Sequence, residues 1–219
     1  SVAVDSTGFV HVTDEWLNRI SVFDCDGKLT KTWGIQGNDN GQWDRPAGII
    51  FDSDDNLLVV DSLNNRVQKF SNNGEFISTF GSFGDGPGNL NTPWGINLDA
   101  DGNVYIADWR NDRIQKFDSD GNYILQIGSS GHGDGGLRRP SGVAVDSDGY
   151  VYVADWGHDR VQVFDAKGIY VDQFNGECHG YSKWAQARMA SDPEGMAAQR
   201  AVVADFTVER VFYQPTGIQ

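Results

Sequence analysis

The sequence predicts an all-β fold made of repeated four-stranded units, because it shows a fixed period and a strand-like residue pattern. The period is 47 residues. Each repeat carries an aspartate followed five residues later by an arginine, in the pairs Asp14 and Arg19, Asp61 and Arg66, Asp108 and Arg113, and Asp155 and Arg160. A fixed period of this size is typical of proteins built from repeated supersecondary units.

The second observation is the pattern inside one repeat, residues 93–139. Runs rich in β-branched and aromatic residues predict four short strands, at residues 93–99, 104–107, 113–117 and 123–127. Asp-Gly pairs predict tight hairpin turns, and a glycine-rich connector leads to the next repeat. A helical solenoid would need an apolar rhythm of about 3.6 residues, which residues 1–175 lack. Four antiparallel strands joined by hairpins predict one blade of a β-propeller.

The repeat also resembles a known family. Its pattern is Pro-x-Gly-[Val/Ile], then Asp-x-x-Gly, a short apolar strand, and Asp-x-x-x-[Asn/Asp]-Arg-[Ile/Val]-Gln-x-Phe. This pattern resembles the NHL repeat, and it occurs four times in phase between Val2 and about Phe174. A fifth, degraded copy follows around residues 204–211. The resemblance implies a propeller that is six-bladed in full length.

The whole chain, 1–219, is predicted to form one propeller domain with about four and a half to five blades. The expected blades are approximately 1–45, 46–92, 93–139, 140–180 and a degenerate fifth at 181–219. Alanine favours helix over strand, so the alanine-rich segment 183–201 is explained either by decay of a terminal repeat or by an inserted short helix that covers one face. The length favours a fragment of a six-bladed ring over a five-bladed ring or an arc that closes against a partner.

Charge and composition limit the kinds of partner that the protein can be expected to bind. The net charge is −14, from 17 basic and 31 acidic residues. An acidic surface repels phosphate backbones and anionic lipid, which argues against nucleic acid and membrane insertion and favours a basic or metal-bridged partner. Cys25 and Cys178 are too few for a disulfide framework and are predicted to be free. The sequence does not determine the cellular location, although an extracellular or periplasmic location is favoured.

The repeated aspartates and arginines are predicted to be structural. An arginine five residues after an aspartate can pair with it across one hairpin, whereas a catalytic group would be unique to one blade. The Asp-rich turns lack the frame of a calcium loop and are explained by turn chemistry. The residues before the arginines share one face, where Asp112 and Asp159 are weak metal candidates and turn chemistry is the favoured explanation.

Residues that break the repeat are the better candidates for function, because binding groups concentrate on loops. We predict a ligand-binding face made of Trp94, Trp109, Arg110, Trp156, His158 and His132. Exposed tryptophans beside an arginine suit a protein segment or the rings of a glycan. The competing interpretation is that each tryptophan packs under a loop.

An enzymatic role is the alternative. NHL-like peptidyl-amidoglycolate lyases resemble this chain, and the resemblance implies zinc-binding histidines directed into the central channel. The corresponding hairpin positions hold Asn18, Asn65, Asp112 and Asp159, and His158 comes one residue early. The His and Glu set of streptogramin lyases cannot be assembled either. We therefore expect a scaffold without catalytic residues or cofactor, with a zinc- or calcium-dependent lyase or hydrolase as the alternative.

Overall fold

The computed structural model describes residues 1–175, which form four four-stranded antiparallel sheets in chain order. The predicted all-β fold of four-stranded blades is confirmed. The expected fifth blade, its segment 183–201 and Cys178 lie outside the described residues.

Every sheet is a meander in which each strand pairs with the next. The first sheet contains β1 (Val2–Val4), β2 (Val10–Asp14), β3 (Arg19–Phe23) and β4 (Leu29–Trp33). The second contains β7 (Pro46–Phe51), β8 (Leu57–Asp61), β9 (Arg66–Phe70) and β10 (Phe76–Phe80). The third contains β11 (Pro93–Leu98), β12 (Val104–Asp108), β13 (Arg113–Phe117) and β14 (Tyr123–Ile127). The fourth contains β17 (Pro140–Val145), β18 (Val151–Asp155), β19 (Arg160–Phe164) and β20 (Tyr170–Phe174).

Glycine-rich connectors join the sheets and have a shared local structure. Two of them contain a short parallel pair, formed by β5 (Ile35–Gln36) with β6 (Gln42–Trp43) and by β15 (Ser129–Ser130) with β16 (Gly136–Leu137). The second connector has a single parallel bridge between Phe83 and Leu90. Each connector therefore folds back on itself before the next sheet begins.

Within residues 1–175 the hydrophobic core is divided into three clusters, one between each pair of consecutive sheets. Between the second and third sheets, Leu58 and Val60 pack in one cluster with Ile106 and Phe117. Leu90, from the connector, is fully buried in the same cluster. Burying a side chain of this size contributes about 1.5–3 kcal/mol. The connectors are thus part of the core and not only links between blades.

The first strands of the sheets lie side by side and line an open cavity of about 790 Å³. Their close approach explains the glycine of the Pro-x-Gly pattern. A Cβ built on Gly95 would lie 2.7 Å from the carbonyl oxygen of Ser141 and 2.8 Å from Cα of Gly142. Trp94 precedes this glycine and lines the cavity with Glu15 and other residues.

The Asp-rich turns are closed by their own first aspartate. Asp99 Oδ1 accepts hydrogen bonds from the backbone N–H groups of Asp101 (3.1 Å) and Asn103 (2.8 Å). Burial raises the pKa of Asp99, but hydrogen bonds from Asn103 and Lys116 outweigh it, and the net pKa lies below its usual value. This carboxylate stabilises a turn, as the turn-chemistry interpretation requires.

No helix within residues 1–175 has the length and apolar character needed to span a bilayer.

Candidate functional site

The repeated Asp and Arg residues form ion pairs across their hairpins in three blades. The Nε to Oδ2 distances are 2.8 Å for Asp61 with Arg66, 2.7 Å for Asp108 with Arg113 and 2.8 Å for Asp155 with Arg160. All three carboxylates are fully buried. The strand registers place each aspartate directly opposite its arginine.

These arginines also attach each blade to the connector before it. Arg113 donates through its terminal nitrogens to the carbonyl oxygens of Asp85 (2.8 Å), Gly86 (2.9 Å) and Asn89 (2.8 Å). Arg160 does the same with Gly133 and Gly136. Each arginine therefore joins its hairpin to the preceding connector through hydrogen bonds to backbone carbonyls.

The first pair differs from the other three. Asp14 accepts from the backbone N–H groups of Trp16 (3.1 Å) and Leu17 (3.0 Å) and makes no ion pair with Arg19 among the described residues. The Nε of Arg19 is buried without a hydrogen-bond partner. The expected ion pair of Asp14 with Arg19 is therefore absent from residues 1–175, and Asp14 closes its own turn through backbone hydrogen bonds.

The residues before the arginines have left-handed backbone conformations. Their φ angles are 49° for Asn18, 57° for Asn65, 54° for Asp112 and 52° for Asp159. Asn and Asp tolerate this region better than other non-glycine residues. Asp112, one of the metal candidates, accepts from Arg139 N–H at 2.7 Å and from the Ser130 hydroxyl at 2.8 Å. This hydrogen bonding supports turn chemistry as the reason for the residue types.

Trp109 contacts both of the other candidate tryptophans, Trp94 and Trp156. Ring centroids are 6.0 Å apart for Trp94 and Trp109 and 6.3 Å apart for Trp109 and Trp156. Trp94 comes from β11, whereas Trp109 and Trp156 begin the short 3-10 turns after β12 and β18. Trp94 is 39% exposed, and the other two are partly exposed. We call Trp94, Trp109 and Trp156, with Arg110 and Arg139, the tryptophan surface.

Two arginines border this surface. The guanidinium of Arg110 lies 5.8 Å from the ring centroid of Trp109, and that of Arg139 lies 4.9 Å from it. Both side chains belong to exposed residues, and neither forms an ion pair with a carboxylate within residues 1–175. Sequence reasoning missed Arg139. Its position directly before Pro140, where the first connector has Arg45 before Pro46, was the available signal.

The two candidate histidines also meet. His158 Nδ1 lies 2.9 Å from Asp155 Oδ2, and its Nε2 lies 3.1 Å from His132 Nδ1. The ring centroids are 4.8 Å apart. The structure thus brings the six predicted site residues together in two contact groups: the tryptophans with Arg110, and the two histidines.

A third candidate location is the cavity beside the first strands. Its polar lining includes Thr13, Glu15 and Asn97, and Trp94 borders it. No group of three or more His, Cys, Asp or Glu side chains placed to hold a metal ion occurs in the part of the chain that the structure describes.

Comparison with protein families gives two matches. Residues 137–164 match the NHL repeat, and residues 38–131 match the SMP-30/Gluconolactonase/LRE-like region. Both families are β-propellers. The sequence matches no curated protein.

Solved structures with a similar fold include a streptogramin B lyase, with 19% identity and a TM-score of 0.62 over 80% of this chain and 53% of the other. A virginiamycin B lyase from Staphylococcus aureus gives 18% identity and a TM-score of 0.61 over 79% and 54%. A protein of unknown function from Bacteroides caccae gives 15% and 0.61 over 83% and 62%. The chain therefore spans between about half and three fifths of the length of these structures, and the likeness shows the fold alone. With four four-stranded sheets in residues 1–175 and two family matches, the chain has a β-propeller fold in which residues 137–164 match the NHL repeat.

Proposed function

We propose that this protein is a non-catalytic binding propeller, which holds a glycan or a protein segment on the tryptophan surface. The observation that carries the proposal is the contact of three partly exposed tryptophans contributed by two different blades. In a repeat protein, residues needed for the fold recur at each period, but the second blade has Ala47 and Ser62 where the third has Trp94 and Trp109. The repeat itself therefore does not require this aromatic group.

The chemistry of the surface fits such ligands. Tryptophan rings offer a large rigid apolar face, which stacks on sugar rings or packs against apolar side chains. Arg110 and Arg139 lie beside Trp109 and supply hydrogen-bond donors in a planar fork. Neither guanidinium forms an ion pair with a carboxylate within residues 1–175, so both keep donors that a ligand can use. A ligand that carries carboxylates or other acceptor groups fits it better than the basic partner suggested by net charge alone.

The competing function is a metal-dependent lyase or hydrolase that works in the central cavity. Glu15, Thr13 and Asn97 are polar groups there. A carboxylate, a hydroxyl and an amide in one cavity do not define a reaction. The similarity to lyases is below the identity at which activity can be carried over, so this function ranks second.

Binding should be tested with an array of neutral and uronate-containing oligosaccharides and with a displayed library of random peptides. Trp109→Ala and Arg139→Ala should each weaken any ligand found by at least tenfold, because each removes part of the stacked centre. Trp16→Ala is the matched control, since Trp16 is 73% exposed and also stacks on an arginine, Arg45, at 4.9 Å, but outside the tryptophan surface.

Three outcomes would contradict the proposal. One is ligand binding that Trp109→Ala leaves unchanged. Another is an equal loss in Trp16→Ala, which would indicate nonspecific adsorption to exposed tryptophan. The third is an array and a library in which nothing binds. Turnover that is abolished by a chelator and by Glu15→Gln would favour the enzymatic alternative.

A further inference from the structure

The pair formed by His132 and His158 is not used by the proposed binding surface. The two residues come from different elements, since His132 lies in the third connector and His158 ends the 3-10 turn after β18. Their nitrogens Nδ1 and Nε2 are 3.1 Å apart. Two ligands at about 2.0–2.1 Å from a tetrahedral zinc ion lie about 3.3 Å from each other. The separation of the two nitrogens is therefore close to that of two ligands on one metal ion.

The tautomer of His158 is fixed by its other neighbour. Nδ1 lies 2.9 Å from Oδ2 of Asp155, whose carboxylate is fully buried and also accepts from Arg160. A carboxylate can only accept, so Nδ1 carries the proton and the lone pair is on Nε2, which points at His132. This arrangement of a carboxylate behind a histidine is how proteins orient imidazole ligands of metals.

The rest of the repeat shows that the fold does not need histidine at either position. Asn64 and Asn111 occupy the site of His158 in the second and third blades, and each donates to the equivalent buried aspartate. Asn38 and Asp85 occupy the site of His132 in the other two connectors. Among the second to fourth blades, histidine therefore occurs at both positions only in the blade and connector where the two side chains contact each other.

The connector that carries His132 is held on both sides of it. The Ser130 hydroxyl donates to Asp112 at 2.8 Å, and the Gly133 carbonyl accepts from Arg160 at 3.1 Å. The Gly135 N–H donates to Gln162 at 2.9 Å. The backbone around His132 is therefore already positioned, which lowers the entropy lost when its side chain binds a ligand.

We propose that His132 and His158 form a binding site for a divalent transition metal ion, with Asp155 as the residue that positions His158. Imidazole nitrogen suits copper, nickel and zinc. Coordination uses Nε2 of His158 and Nδ1 of His132, and the His132 proton moves to its own Nε2, so binding to the neutral pair releases no net proton. The protein supplies two ligands, and water or a bound molecule's donor atoms fill the remaining positions. This site uses no side chain of the tryptophan surface, although His158 and Trp156 share one 3-10 turn.

The test is calorimetric titration of the full chain with CuSO4 and with ZnCl2, in a background where Cys25 and Cys178 are changed to serine. His158→Asn and His132→Asn are matched variants, because the repeat uses asparagine at both sites in other blades. Each should lower the affinity for the metal by at least tenfold without changing the thermal unfolding temperature. Copper-bound protein should show coupling to two imidazole nitrogens by electron paramagnetic resonance, and each variant should show one.

Other outcomes would overturn the site. One is copper and zinc affinities that are the same in the background protein and the two asparagine variants. Another is no metal binding in the background protein, which would leave the pair as a hydrogen bond only. Affinity should fall at acidic pH, because a protonated imidazole cannot coordinate, and a metal affinity that is independent of pH would also contradict histidine ligation.

Discussion

Substitution of a repeated arginine tests directly how the blades are stabilised. Arg113→Met removes a buried cation but keeps much of the apolar stem. In the native protein Arg113 makes five hydrogen bonds, to Asp108, Asp85, Gly86, Asn89 and Gln126. At about 1 kcal/mol each, their loss is worth about 5 kcal/mol. Removing one partner of a buried ion pair generally lowers the free energy of unfolding by about 3–5 kcal/mol, and this range is consistent with the sum of the hydrogen bonds.

Arg19→Met is the matched control, since Arg19 occupies the same repeat position but forms no ion pair and no connector hydrogen bond within residues 1–175. Arg19→Met should lower the free energy of unfolding by less than about 1 kcal/mol, as is usual for substitutions away from buried hydrogen-bond networks. Both values are to be measured by denaturant unfolding of the full chain at pH 7, with Arg113→Lys as an intermediate variant in case Arg113→Met does not fold. Equal losses for Arg19→Met and Arg113→Met would refute this account of the repeat.

The pH dependence of the same variant provides a second readout. Burial raises the pKa of Asp108, against hydrogen bonds from Asn91, Asn111 and Arg113 that lower it. Loss of Arg113 removes one of these opposing interactions and raises the pKa further. A carboxyl with a raised folded-state pKa binds its proton more tightly when folded, so the stability deficit of Arg113→Met should shrink as pH falls from 7 toward 5. A deficit that is constant over this range would show that the buried charge is not its source.

Two further predictions concern close packing and turn chemistry. Gly95→Ala should lower the free energy of unfolding by about 1–3 kcal/mol, as overpacking does, because the new Cβ would meet the backbone of the fourth sheet. Gly133→Ala has no atom within 4 Å of the new Cβ and should change the free energy of unfolding by less than about 0.5 kcal/mol. Equal effects of the two variants in denaturant unfolding would contradict the steric argument. The lowered pKa of Asp99 means that its stabilisation is present above about pH 4 and is lost as pH falls through the folded-state value. The Asp99→Asn variant should therefore be less stable than the native protein at pH 7, and this difference in the free energy of unfolding should shrink as pH falls below about 4. A difference that does not change with pH would contradict this assignment.

Much of the architecture followed from local sequence rules. The 47-residue period, the alternating strands and the Asp-Gly turns predicted the four-stranded sheets, because hairpin pairing joins residues close in the chain. The Asp108 and Arg113 pair was predictable for the same reason, since five residues bracket one hairpin. The grouping of Trp94 with Trp109 was harder, because it depends on how a first strand lies beside the hairpin of the same blade.

Contacts between blades were the least predictable part. Arg139 reaches Trp109 from the connector of the following blade, and the separation along the sequence gives no sign of it. The hydrogen bonds of Asp14 to the backbone of Trp16 and Leu17 were also not predicted, since the repeat pattern is intact there.

The sequence by itself therefore determined the repeat, its strands and its turns, all of which depend on residues a few positions apart. Only the tertiary structure decided which unique side chains touch. It placed Trp94, Trp109 and Trp156 in one group and set His132 against His158. These contacts depend on how strands, hairpins and connectors pack within and between blades. They join residues about 15 to 47 positions apart, which no local pattern encodes.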